Sequence, residues 1–244
     1  MSRYRFEWYL RPGKQLSDER KERLQSELCE LGALCLHPLP DYQVFAKKKD
    51  ALDDKALVIA RRADGKMAAF CSAVLLEIEG VGEVLHLGLL CVHPEDRRGG
   101  LTHRLSKRLT LRYALHRRFR RFWITNVACV LSSLGTFARN TATPHPAPGS
   151  QPGETTWKIA RAFDRDHREK AYVQPGATFD PDSFVFRRSG KGTAFQKSAE
   201  DKQFFHRDPQ LNDFFKPMLN FEDGDEMLQV GSLGLSDFVK NALG

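Results

Sequence analysis

The stretch from Glu83 to Thr102, EVLHLGLLCVHPEDRRGGLT, constrains this chain more than any other. It opens as an apolar, partly alternating run, the pattern of a strand. His93-Pro94 ends that run, because proline has no N–H to give to a sheet ladder. Arg97-Arg98-Gly99-Gly100 follows, and from Leu101 the apolar spacing turns helical. Strand, basic glycine turn and helix start, in that order, gather backbone N–H groups and the positive end of a helix dipole at one place. Such a place suits the phosphates of a ligand. The bland alternative is a solvated turn.

The flanking pattern predicts an α/β fold. Tyr4 to Leu10 reads as a strand, and Ser17 can cap a helix with Leu24, Leu28 and Leu31 on one face. Asp41 to Lys49 is a possible short helix. Ala56 to Arg61, Met67 to Ile78 and Glu83 to Val92 read as three strands. Asp64-Gly65 forms a tight hairpin turn between the first two, and Glu79 to Gly82 turns the chain again, making an antiparallel meander. Leu101 to Arg117 is helical. The strand at Arg120 to Ala128 returns after it, which predicts a parallel neighbour for the Glu83 strand. Val130 to Arg139 reads as a short helix and Thr143 to Gly153 as a loop. Beyond it come a helix over Glu154 to Glu169, a strand near Ser183 to Arg188 and helix-like segments at Ser198 to Phe205 and Leu211 to Leu219. Pro217 cuts or kinks the latter; an edge strand at Glu226 to Val230 and a terminal helix at Leu235 to Leu243 close the list. The composition shift near Thr143 marks either a boundary between residues 1–143 and an extension, 144–244, or a join between two halves of one sheet.

A formal charge of +7 over 244 residues suits acidic partners of several kinds and does not choose among nucleic acid, membrane surface and polyphosphate. The five cysteines include no CxxC pair, and no cysteine and histidine cluster has ligand spacing, so neither a disulfide framework nor a metal site is expected. The N-terminal MSRYRFEWYLR is unlike a signal peptide, and no run is long enough to span a bilayer. A cytoplasmic setting is the expectation.

Val92, Pro94, Arg97, Gly100 and Thr102 occupy the places of a known motif: a strand ending in hydrophobic-x-Val-x-Pro, then Arg/Gln-x-x-Gly-x-Gly/Ala, then a helix. On that motif, and on the element order around it, the chain resembles the GNAT superfamily of N-acetyltransferases from about Tyr4 to Asn140. The long C-terminal extension is atypical. The resemblance implies an acyl-CoA N-acyltransferase-like fold, with a mixed, strongly twisted sheet flanked by helices. It implies acetyl-CoA or acyl-CoA as cofactor, with the pyrophosphate on the backbone of Arg97, Arg98, Gly99, Gly100, Leu101 and Thr102. The thioester carbonyl would meet backbone N–H groups at Leu90, Cys91 and Val92, which would polarise it as an oxyanion site does. Thr102 stands where the family has Gly or Ala.

Many members carry a glutamate about eleven residues before the motif's Arg/Gln; here His86 stands there. His86 is either a base or a core histidine without chemistry, and Glu83 is the reserve base. The family's tyrosine acid is replaced by Phe137 in that neighbourhood. Asn126 lies near the expected cofactor edge. The expected activity is transfer of an acetyl or longer acyl group, from CoA or an acyl carrier protein, to an amine of a small molecule or protein. The alternatives are a silent acyl-CoA sensor or scaffold, and a basic nucleic-acid-binding protein using Arg104, Lys107, Arg108 and Arg112. No binding module supports the last, so nucleic acid is the less expected partner. The many phenylalanines after residue 143 could enlarge the acceptor side, cover a longer acyl chain, or form a homodimer interface.

Overall fold

A computed structural model describes residues 3–243 of the chain. In order the elements are β1 (Arg5–Leu10), α1 (Pro12–Gln15), α2 (Asp18–Ala33), β2 (Lys55–Arg61), β3 (Met67–Ile78), β4 (Gly82–Val92), α3 (Leu101–His116) and β5 (Phe122–Ala128). Then come α4 (Leu131–Asn140), β6 (Ala142–His145), α5 (Glu154–Asp166), β7 (Thr178–Asp180), β8 (Val185–Arg187), α6 (Pro209–Phe215), β9 (Glu226–Leu233) and α7 (Leu235–Leu243). Antiparallel strands with one parallel pair make a mixed sheet flanked by α-helices. Its element order is the acyl-CoA N-acyltransferase-like one.

The chain divides into two compact units: Met1–Leu75 with Leu87–Phe119, and Leu76–His86 with Arg120–Gly244. β3 and β4 each contribute residues to both. In the first unit, β1 runs antiparallel to β2 from Arg5↔Arg61 to Leu10↔Ala56, and β2 antiparallel to β3 from Lys55↔Val74 to Arg61↔Met67. The Asp-Gly turn joins β2 to β3 as expected, with Gly65 at φ 86°, a conformation that costs a glycine little. Ser17 holds the cap position of α2 in extended backbone, without a side-chain capping bond, and Asp18 and Glu19 suit the dipole in the first turn. Leu24, Leu28 and Leu31 of α2 are buried, as are Leu101, Leu105, Leu109 and Tyr113 of α3, so the helical spacing read from the sequence is the buried face of each.

In the second unit, β4 pairs in parallel with β5 over Val84↔Trp123, Leu85↔Ile124 and His86↔Thr125. The crossover through α3 accounts for the parallel sense. β5 pairs antiparallel with β9 from Phe122↔Leu233 to Ala128↔Met227, and β8 pairs with β9 and β7. β9 was expected at an edge and is interior instead: β5 and β8 flank it and all eight of its residues are buried. A short apolar run reads as an edge only when its partners, both far earlier in the chain, are unknown. The loop expected from Thr143 starts with strand: β6 pairs with β9 at Ala142↔Ser232 and His145↔Val230. Asp41 to Lys49 and Ser198 to Phe205 hold only 3₁₀ turns, at Gln43–Phe45 and Lys202–Phe204. α6 stops at Phe215, and Pro217 sits in the 3₁₀ turn that follows. Among the described residues, no helix is long and apolar enough to cross a membrane.

Candidate functional site

The glycine turn has the backbone that its sequence implies. Arg98 and Gly100 take positive φ values of 67° and 68°, and Gly100 is the left-handed residue from which α3 starts. Among the described residues, the backbone N–H groups from Arg98 to His103 meet no hydrogen-bond acceptor. Arg97 to Gly100 and Thr102 are exposed, whereas Leu101 is buried and fixes the first turn of the helix. A row of unsatisfied donors at the positive end of a four-turn helix, preceded by two exposed arginines, has the chemistry that suits phosphate oxygens.

The turn is held from below by Asp96, which the sequence did not single out. Its carboxylate accepts from Tyr4 Oη at 2.7 Å and from Arg62 Nε at 2.8 Å, with Arg3 at 3.4 Å. Burial raises the Asp96 pKa, but the bonds from Arg62 and Tyr4 outweigh it and hold the carboxyl below its ordinary value. The 3₁₀ turn Pro94–Asp96 is thus anchored to Tyr4, just ahead of β1, and to Arg62, just after β2, immediately before Arg97. Asp96→Asn would set an amide N–H₂ against the Arg62 donors. The expected cost is roughly 2 kcal/mol, read as a lowered urea midpoint at unchanged slope; an unchanged midpoint would mean that Asp96 does not anchor the turn.

Gly88, Gln43 and Ser72 form a second unforeseen feature, on the run-up to Leu90. A Cβ at Gly88 would lie 2.1 Å from Gln43 Oε1. Ser72 Oγ takes the Leu89 N–H at 3.0 Å and donates to Gln43 Oε1 at 3.2 Å. A side chain therefore serves the strand where a ladder bond would run. The sequence carried one signal for this: a glycine inside an apolar strand marks close approach of another group. Of the expected thioester segment, Leu90 and Val92 are half-buried and Cys91 is buried.

Glu83, His86 and Asn126 belong to the second unit. His86 is 1% exposed, with Nδ1 3.0 Å from Thr125 Oγ1 and its ring 5.1 Å from that of Phe163. Burial, and then the charge of His167, push its pKa down to about 3. That is the setting of a core histidine, neutral at physiological pH and a weak base. Glu83, three residues earlier on the same strand, is half-buried. Asn126 is buried, and its amide donates to Ser133 Oγ and Gln229 Oε1, both at 3.4 Å; Gln229 in turn donates to the Leu134 and Pro146 carbonyls at 3.2 Å. Phe137 is buried.

Two further expectations can be placed. Arg104 and Arg108 lie over the Phe6 ring at 5.0 and 4.1 Å, so part of the basic face of α3 covers an aromatic side chain instead of standing free. Phe184, Phe186 and Phe215 are fully buried in the second unit.

No family model matches the sequence, and no curated protein matches it. Among solved structures the chain is similar to ElaA of Escherichia coli, with TM-score 0.41 and 14% identity over 55% of this chain and 86% of that one. It is similar to the GNAT family N-acetyltransferase YhbS of Escherichia coli, solved in complex with CoA, with TM-score 0.36 and 10% identity over 52% of this chain. It is also similar to L-PGS of Bacillus licheniformis, with TM-score 0.33 and 15% identity over 46% of this chain. It spans 32% of the last structure and 63% of YhbS. The chain is thus similar in structure to several GNAT-fold acetyltransferases, at low identity and over about half its length.

Proposed function

We propose that this protein is a CoA-dependent N-acyltransferase, moving an acetyl or longer acyl group to an amine. The observation that carries this is the row of N–H groups from Arg98 to His103, without acceptors among the described residues and aligned with the start of α3. In this proposal they hold the donor's pyrophosphate, with Arg97 and Arg98 beside it. The Leu90–Val92 backbone faces the thioester carbonyl, and the parallel pairing seen from Val84 to His86 lies just ahead of that segment. An amine that arrives deprotonated attacks the carbonyl carbon, the C–S bond breaks, and the thiolate takes a proton from solvent, since Phe137 offers none. The proton that the nitrogen sheds after attack goes to Glu83, the better solvated of the two expected bases, while His86 supports the β4–β5 pair. Residues 144–244, through β9, extend the sheet beyond β5.

Calorimetric titration with CoA, acetyl-CoA and a long-chain acyl-CoA tests this directly. Gly100→Val forces a β-branched residue into positive φ and is expected to raise the Kd for CoA at least about tenfold. Absence of binding to any CoA, together with tight, salt-sensitive RNA binding, would overturn the proposal in favour of a nucleic-acid protein. CoA binding without thioester turnover over a broad amine panel would favour a sensor.

A further inference from the structure

Cys35 lies two residues beyond α2, half-buried, with Sγ 3.4 Å from the Val92 carbonyl oxygen. The Cys91 thiol and the Arg97 guanidinium both lie against its sulfur. Cys91 is buried on β4, and all these residues belong to the first unit. Contact with Cys91 and then with Arg97 draws the Cys35 pKa down, whereas Cys91 is driven up by the facing Cys35 and by burial. The half-buried thiol is thus the one drawn down, and the buried one is driven up. Cys29 is the contrast: also half-buried, its thiol is pushed up by burial and by Glu30. A low-pKa, reachable thiolate beside a second thiol is the arrangement that peroxides oxidise and a neighbour resolves.

We propose that Cys35 and Cys91 form a peroxide-responsive thiol pair, Cys35 being the oxidised thiol and Cys91 the resolving one. The Cys35 thiolate attacks one peroxide oxygen; an S–O bond forms, the O–O bond breaks, and hydroxide leaves, giving the sulfenic acid. The Cys91 sulfur then attacks the Cys35 sulfur. The S–S bond forms, the S–O bond breaks, and water leaves with the Cys91 proton. Two thiols lose two electrons, and hydrogen peroxide becomes two waters. The bridge ties the Leu90–Val92 segment to the end of α2 and removes the thiolate beside Arg97. Its effect on donor binding rests on the acyltransferase proposal; its formation does not.

The full chain, treated with equimolar hydrogen peroxide, is alkylated and mapped by mass spectrometry. Expected is a linked Cys35–Cys91 peptide pair that thiol reductant reverses. In the untreated chain at neutral pH, Cys35 should alkylate about tenfold faster than Cys29. In Cys91→Ser the sulfenic acid should persist and be trapped by dimedone, while Cys29→Ser should leave the bridge intact. A map in which oxidised Cys35 is not joined to Cys91, or in which Cys35 reacts no faster than Cys29, overturns the pair. CoA titration of the same samples separates the two proposals. If the reduced chain does not bind CoA, the acyltransferase proposal fails while the peptide map still decides the bridge. If it binds CoA equally well before and after bridging, the proposed effect on the donor site fails.

Discussion

Acidification is expected to unfold the wild-type chain before it unfolds His86→Gln. The folded protein holds His86 with a pKa of about 3, against an ordinary value of 6.5, because the ring is buried and His167 faces it. The folded pKa is depressed, so from pH 6.5 downward the unfolded chain binds a proton that the folded chain refuses. Stability is unaffected above that value and falls as the pH drops toward 3. The full difference is roughly 5 kcal/mol and roughly 3 kcal/mol is already lost by pH 4, a large share of what holds an ordinary domain folded. Urea denaturation at pH 7 and pH 4, for both proteins, reads it as a difference between slopes. His86→Gln has its own cost in packing against Phe163, but that cost is the same at both pH values. Parallel losses in the two proteins would mean that His86 is solvated in the folded chain, and would restore it as a base.

Glu226→Gln should act at the other end of the scale. Glu226 is buried on β9, accepts from Ser189 Oγ at 2.5 Å, and has its pKa raised by burial from 4.5 to about 7, with Ser189 and Lys197 opposing. Here the folded pKa is above the unfolded one. Between 4.5 and 7 the folded chain keeps a proton that the unfolded chain has lost, so the contribution is complete below pH 4.5 and is lost as the pH rises through 7. The loss is roughly 3 kcal/mol by pH 8. A glutamine is neutral throughout, so the variant should not share this decline, and should gain on the wild type by that amount between pH 5 and pH 8. If the gap stays constant, Glu226 ionises in the folded state as easily as in water. Together the two buried groups predict a stability maximum in mildly acidic solution, set by one interior ring and one interior carboxyl.

Much of the first half was legible because its signals are local. The Asp64-Gly65 hairpin, the leucine spacing of α2 and α3, and the proline and glycines that end β4 and start α3 each depend on a few neighbouring residues. They appear where expected. Segments whose state depends on distant partners were harder. β9 was read as an edge because nothing in Glu226 to Val230 says that β5 and β8 will both pair with it. β6 was read as loop because four residues beside a proline-rich run gain strand geometry only when β9 supplies the ladder. Asp41 to Lys49 lost its helix to Gln43, which sits at φ 47° over Gly88, a contact 45 positions away.

The candidate site divides in the same way. Backbone chemistry, meaning free N–H groups, positive φ and a helix start, follows from Arg97-Arg98-Gly99-Gly100 alone, since glycine and chain direction decide it. Side-chain chemistry does not. Histidine at position 86 is a base or a core residue according to its surroundings, and it is Thr125 and Phe163, on β5 and α5, that make it buried and neutral. Asp96 is an unremarked acid in the sequence and an anchor in the fold, because Tyr4 reaches it from just ahead of β1 and Arg62 from just after β2. Cys35 and Cys91 stand 56 positions apart, and only folding brings one thiol against the other. What the sequence determined by itself was a turn with left-handed backbone and a helix start after β4, because that depends on local conformation. Which side chains are charged, buried or paired was decided by the tertiary structure, because desolvation and Coulomb energy depend on distance in space and not along the chain.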